Sequence, residues 1–184
     1  ALIGLSTLIG EEEFENLSNM VIDLQIGYAD GIYSTEEALA KVAEIYALDM
    51  MPEIVDGVYQ LSTKMHMVAF SAIANKLDNK ANAVMLNDID MSEVDFQPIG
   101  NDVAGHRYSG TFDGQGHKFM NLSVNWGGNY FGLFGCVGAG AVIKNFIIDN
   151  SWYIFGTGSY GGIIGGSNEA GTITIQQLGM EGTI

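Results

Sequence analysis

Two short motifs recur three times, in step, along the C-terminal part of this 184-residue chain, and they limit its fold more than any other feature. The first reads Tyr, any residue, Gly, any residue, then Phe or Ile. It occurs as YSGTFDG from Tyr108, YFGLFGC from Tyr130 and YGGIIGG from Tyr160. The second reads apolar, any, Asn or Gln, apolar, any, apolar, polar, and occurs as FMNLSVN from Phe119, IKNFIID from Ile143 and IQQLGME from Ile175. Each copy of the second follows its copy of the first at a similar distance, so the two blocks stay in register. A repeat of about 20–30 residues with short strand-like pieces and glycine corners is the pattern of a parallel β-helix coil.

Period-two alternation then points Leu122 and Val124, Phe146 and Ile148, and Leu178 and Met180 inward, one pair above another at roughly the 4.8 Å strand spacing. Asn121, Asn145 and Gln177 share one position just before those pairs. Asn tolerates left-handed backbone at a corner, and stacked amides can bond along the axis, so a structural amide ladder is expected there. In the first block parity does not choose between Leu133 and Phe134 as the buried residue. The run Phe131–Ile143 carries four glycines and is too short for a membrane span, which needs about 20 apolar residues. Its glycines are read as architectural, letting adjacent coils approach.

Upstream, NAVMLNDIDM (Asn82–Met91) reads as a first, divergent coil. Before it, Ser62 or Thr63 is a possible N-cap for a helix over about 63–77, with Met67, Phe70, Ile73, Ala74 and Leu77 at helical spacing. Such a helix could plug the N-terminal end of the solenoid, which otherwise exposes edges and core. Residues 1–57 read as an acidic α-helical hairpin. Phe14, Leu17, Val21 and Leu24 form one apolar stripe, and Ala38, Val42, Ile45 and Tyr46 the second. Ser34 and Glu37 make a capping box between them, and Pro52 marks the end. The expectation is thus a mainly β chain of two parts. Residues 58–184 form a right-handed parallel β-helix of about three to four coils with its capping helix, preceded by the hairpin.

Composition sets the function classes. The net charge of −15 falls mostly on residues 1–58, with twelve acids against Lys41 alone. No basic patch exists, so nucleic acid and anionic membrane are poor partners, and no membrane insertion by this segment is expected. The acidic excess reads as solvated helix surface. A 47% hydrophobic fraction is ample for a core. The single cysteine, Cys136, leaves no intramolecular disulfide and no cysteine-rich metal site. The chain starts without Met, which fits a mature secreted or trimmed chain, and its end at GMEGTI lacks an evident cap, so that more coils or a partner would cover it.

The stretches YSGTFDGQGHKFMNL, YFGLFGCVGAGAVIKNFIID and YGGIIGG resemble proteins bearing the GLUG motif. YQLSTKMHMVAFSAIAN and LNDIDMSEVDFQPIG look like the segment leading into such repeats, so the resemblance runs from about Val58 to Ile184. It implies a large bacterial cell-surface or secreted protein linked to adhesion. It defines no catalytic residues, and this sequence departs from the pattern at Cys136 and at Ile164, which replaces the aromatic.

Candidate sites are few. Asp88, Asp90, Glu93 and Asp95 are dense but lie in one turn-rich segment, as hydrogen-bonding turn aspartates would. Asp113 finds only Gly135 and Gly165 at the positions the motif alignment matches to it. His66, His106 and His117 show no paired metal-ligand spacing, and GQGH at Gly114 lacks the lysine and full fingerprint of a nucleotide loop. No catalytic residue, metal or cofactor is expected. The best candidate is aromatic: Trp126, Tyr130, Trp152, Tyr153 and Tyr160 could stack on sugar rings, or else cover the core at coil corners. The reading is therefore a non-enzymatic extracellular adhesion or display module with a host or microbial glycan, or a surface protein, as partner. The alternatives are a carbohydrate-active lyase or hydrolase on a β-helix, or a purely structural stalk.

Overall fold

In the computed structural model the chain divides into two compact units, Ala1–Met50 and Met51–Ile184. The structure describes residues 19, 22–23, 26–27, 29–34, 37, 51–94, 96–167 and 169–181. The two apolar stripes expected in the first unit lie outside the described residues, but the capping box is seen. The Ser34 N–H donates to Glu37 Oε2 at 2.8 Å and the Glu37 N–H to Ser34 Oγ at 3.3 Å. The Ser34 backbone N–H, and then the Ser34 hydroxyl, hold the Glu37 carboxyl below its ordinary pKa.

The second unit is a β-solenoid of about three turns. It opens with β1 (Glu53–Val55) and β2 (Val58–Leu61), paired antiparallel. Their two-residue turn is Asp56-Gly57, with φ of 51° and 77°. Two left-handed residues in a row make the hairpin turn whose twist suits strands, and Asp-Gly is among its favoured sequences. The two compact units divide at Met50/Met51, before this hairpin and not after Gly57, and residues 53–55 pair with β2 of the second unit.

After β2, helix α1 (Lys64–Lys76) starts at Thr63, whose side chain accepts the His66 N–H at 3.1 Å. Met67, Phe70, Ile73 and Ala74 are buried as their spacing predicts. Leu77 is the C-cap, lies off the helical stripe and is 81% exposed. Phe70 packs on Tyr59, Tyr108 and Phe112 at ring-centroid distances of 5.7, 6.1 and 6.1 Å.

The coils follow. β3 (Asn82–Met85) and β4 (Ile89–Asp90) belong to the first. The second holds β5 (Thr111–Asp113), β6 (Lys118–Met120), β7 (Ser123–Trp126), β8 (Tyr130–Phe131) and β9 (Phe134–Cys136). The third holds β10 (Val142–Ile148), β11 (Tyr153–Gly156), β12 (Tyr160–Gly161) and β13 (Ile164–Gly166), and β14 (Thr174–Met180) begins a fourth. Every coil-to-coil pairing is parallel. Ala83, Phe112, Ile143 and Ile175 make one column, and Ile89, Phe119, Ile148 and Met180 another. β7 lies on β11, β8 on β12 and β9 on β13, all with one offset: Ser123 meets Tyr153, Tyr130 meets Tyr160 and Phe134 meets Ile164.

One full coil thus runs from Tyr130 to Tyr160. The shorter first steps of the sequence repeat, Tyr108 to Tyr130 and Phe119 to Ile143, do not join residues that pair from coil to coil. Tyr108 is bridged to Val137, and Phe119 lies beside Ile148. Each side of a coil is a short strand ended by a glycine or amide corner. A local motif can therefore recur one side early, short of a full turn. Leu122 and Val124 are buried as parity requires, but they lie on the β7–β11 side, facing Trp152 and Ile154, and not under Phe146 and Ile148. Phe146 and Ile148 do lie under Leu178 and Met180. Leu133 and Phe134 are both buried, because they turn the corner between β8 and β9, where alternation lapses.

The interior is filled by rings. Phe112 touches Phe70, Phe119, Phe134 and Phe146 at 5.3–6.3 Å, and all five are fully buried. Where side chains are absent, backbones approach. Gly100, Gly135 and Gly165 share one column: a Cβ on Gly135 would lie 2.5 Å from the Gly100 carbonyl, and one on Gly165 2.7 Å from the Gly135 carbonyl.

Candidate functional site

The corner amides and the aromatics are the residues the sequence offers for function. Asn121, Asn145 and Gln177 all adopt left-handed backbone, with φ of 52°, 60° and 52°. Asn145 and Gln177 occupy one column, between the Lys144–Gln176 and Phe146–Leu178 pairs. Asn121 stands on another corner, because Met120 pairs with Asp90 and not with Lys144. The three therefore do not form one ladder. Two of the amides instead donate to a carboxylate of the preceding coil: Asn121 to Asp90 and Asn145 to Asp113, each at 2.9 Å. The matching of Asp113 to Gly135 and Gly165 is corrected in the same way. Its neighbours are Val84 and Lys144, and the Lys144 ammonium lies 3.1 Å from its Oδ2.

These contacts set the acids' ionisation. The Asn121 amide, then the Ser92 backbone and side chain, pull Asp90 below the usual carboxylate range. At Asp113 desolvation works upward, but the Gln115 N–H, the Asn145 amide and Lys144 together outweigh it and lower the pKa. The turn reading of the acidic segment fits Asp90, which accepts the Ser92 N–H, whereas Asp88 bonds across coils and accepts the Lys118 N–H. Asp95 lies outside the described residues. GQGH is a corner with extra length, since the loop from Asp113 to Lys118 faces the shorter step from Lys144 to Ile147. The histidines are apart: His66 Nδ1 accepts the Ser62 N–H, His106 Nδ1 meets the Asn75 carbonyl at 2.6 Å, and His117 lies 3.3 Å from Asp88.

The aromatics divide into two sets. Trp126 and Trp152 are half-buried at inward positions of β7 and just before β11, packed against the core. They do not stack, because Trp126 pairs with Gly156 and Trp152 lies opposite Leu122. Tyr130 and Tyr160 stack at 4.9 Å with planes 14° apart. Tyr153 is 60% exposed beside Phe155 on the outer face of β11. Desolvation, helped by Cys136, Tyr160 and Asp102 and opposed by Arg107, raises the Tyr130 phenol pKa.

Two of the five line a cleft together. Trp126 and Tyr130 form one wall of a cavity of about 260 Å³, and Asn101, Asp102 and His106 the other, with Asn129 between. A shallower groove of about 530 Å³ follows the Asp113–Asn145–Gln177 corner, where the carboxylate is already bonded. The cleft's far wall is held by Asn75 near the end of α1. Its Nδ2 donates to the Pro98 carbonyl at 2.9 Å, its Oδ1 accepts the Gly100 N–H at 2.8 Å, and its own carbonyl meets His106. Sequence reasoning passed over Asn75. Its only signal was a polar residue on the helix's buried face, beside Ala74.

No family model and no solved structure matches the chain. Halomucin from Haloquadratum walsbyi (strain DSM 16790 / HBSQ001) is 39% identical to it over 90 residues, which is 48% of this chain and 1% of that protein. The chain thus spans a small fraction of the length of the curated relative it matches. Among the described residues no helix is long and apolar enough to cross a membrane, and no three metal-ligating side chains converge.

Proposed function

We propose that this chain is a non-enzymatic β-solenoid module of a large extracellular or cell-surface bacterial protein, serving adhesion or display with glycans as ligand. The observation that carries the reading is how the stacked coils use their side chains. Their interior is given over to packing, their corner acids are tied by amides and Lys144, and a long outer face is left to present side chains. On that face the third coil carries Tyr153, Phe155 and Tyr160, all at least half exposed. Helix α1, with Phe70 against Tyr108 and Phe112, supports a role in closing the N-terminal end of the core.

Two likenesses support the setting. The 90 residues shared with Halomucin are 1% of that protein, which fits a module within a very long chain. The resemblance to GLUG-motif proteins points the same way, and the bacterial surface assignment rests on it. The test is binding of the purified chain to a broad array of host and microbial glycans at physiological salt, with the eluates assayed for new reducing or unsaturated sugar ends. Retention of intact glycan is the expected result. Release of product would replace this reading with the carbohydrate-active enzyme, and silence across the array would leave a stalk.

A further inference from the structure

We propose that the cleft between the Asn101–His106 loop and Trp126/Tyr130 is the sugar-binding site, and that it takes one uncharged pyranose unit. This inference rests on the glycan reading above and adds to it a place and a ligand class. In this cleft the sequence's aromatic candidates meet polar groups with unused bonding capacity. Among the described residues the Asp102 carboxylate and the Asn129 amide make no hydrogen bond. Asn101 uses its Oδ1 on the Val103 N–H and keeps its amide donors.

At His106 a backbone contact selects the tautomer of the neutral ring. The Asn75 carbonyl can only accept, so Nδ1 carries the proton in the 2.6 Å contact between them. Nε2 is then the neutral ring's lone-pair nitrogen. The cleft thus joins aromatic rings to amide, carboxylate and imidazole groups, as a pyranose joins the C–H groups of its ring faces to the O–H groups around its rim.

Charge narrows the class. The one carboxylate or ammonium-type group among the cleft's lining residues is the Asp102 carboxylate, which disfavours uronate or other acidic sugars. Trp152, Tyr153 and Phe155 do not line this cavity, so none of these three belongs to the site.

The test uses the full 15N-labelled chain titrated with the methyl glycosides of glucose, galactose, mannose and N-acetylglucosamine, with methyl glucuronide as the acidic control. The chain has two tryptophans, so two indole N–H signals are read at once. The Trp126 signal should shift saturably with at least one neutral glycoside, and the Trp152 signal should stay. Asp102→Ala and Asn129→Ala, both at exposed positions, should each weaken binding about tenfold, the loss expected for one such hydrogen bond. Equal or tighter binding of the glucuronide overturns the uncharged class. If a glycan retained on the array is unaffected by these two variants and lost with Tyr153→Ala or Phe155→Ala, the cleft is wrong while glycan binding stands. If no saccharide binds in either format, both fail.

Discussion

The Gly100–Gly135–Gly165 column makes the sharpest stability prediction, because the same substitution should act in opposite directions at two nearby glycines. In Gly135→Ala the new Cβ would lie 2.5 Å from the Gly100 carbonyl and 3.1 Å from both Pro98 Cβ and the Tyr130 carbonyl. Comfortable carbon-to-carbonyl contacts between strands sit at about 3.3–3.6 Å, so two coils must part by roughly 0.8 Å. The nearest obstacle is backbone, which no rotamer change can move. Overpacking of this kind costs about 1–3 kcal/mol. Gly127→Ala meets nothing within 4 Å and has no left-handed φ, so the restriction of the unfolded chain should stabilise by about 0.4–1 kcal/mol. Urea titrations followed by circular dichroism, with unchanged m-values, read the difference between the two. If Gly135→Ala is as stable as Gly127→Ala, the coils do not approach as described and the architectural role of this glycine is refuted.

The packing and hydrogen bonds set three further expectations. Phe112→Ala empties the centre of a five-ring cluster and should cost about 3–5 kcal/mol, against less than about 1.5 kcal/mol for Phe112→Leu in the same titration. Asn75→Ala leaves the buried Gly100 N–H and the Pro98 carbonyl without their partner and should cost about 2 kcal/mol or more, with faster hydrogen exchange over residues 99–106. Asp90 and Asp113 have folded pKa values below their unfolded ones. Their contribution is therefore full above about pH 5 and is lost as pH falls through about 4 and below. The urea midpoint should hold from pH 7 to 5 and then drop. In the Asn121→Ala/Asn145→Ala double variant that drop should be shallower, and an unchanged slope would show that the amide–carboxylate bonds do not couple.

Local chemistry was legible in the sequence wherever one element decides it alone. Helix α1 with its Thr63 cap, the Ser34–Glu37 box, the inward parity of Leu122, Val124, Phe146 and Ile148, and the left-handed corners at Asn121, Asn145 and Gln177 all follow from spacing and residue type. The coil length did not follow, because a solenoid's sides share one chemistry and a motif matches a neighbouring side as well as a neighbouring coil. That is why Asn121 separates from Asn145 and why Tyr108 is not beneath Tyr130. The Val55-Asp56-Gly57-Val58 turn was readable, as Asp-Gly between β-branched residues, but the helical reading of the residues before it absorbed it. The cleft could not be read, since its two walls, Asn101–His106 and Trp126–Tyr130, belong to separate segments. The first of them is held through Asn75, on a helix that precedes both.

The glycine column and the cleft both depend on the register of the stack, with Phe112, Ile143 and Ile175 on successive rungs. The direct measurement is a nuclear Overhauser spectrum of the labelled chain. This register gives backbone cross-peaks joining Ile143 to Phe112 and Ile175, and Ile148 to Phe119. Cross-peaks joining Ile143 to Phe119 and Asn145 to Asn121 would contradict it, because they would restore the shorter step of the sequence repeat and dissolve both the glycine column and the cleft.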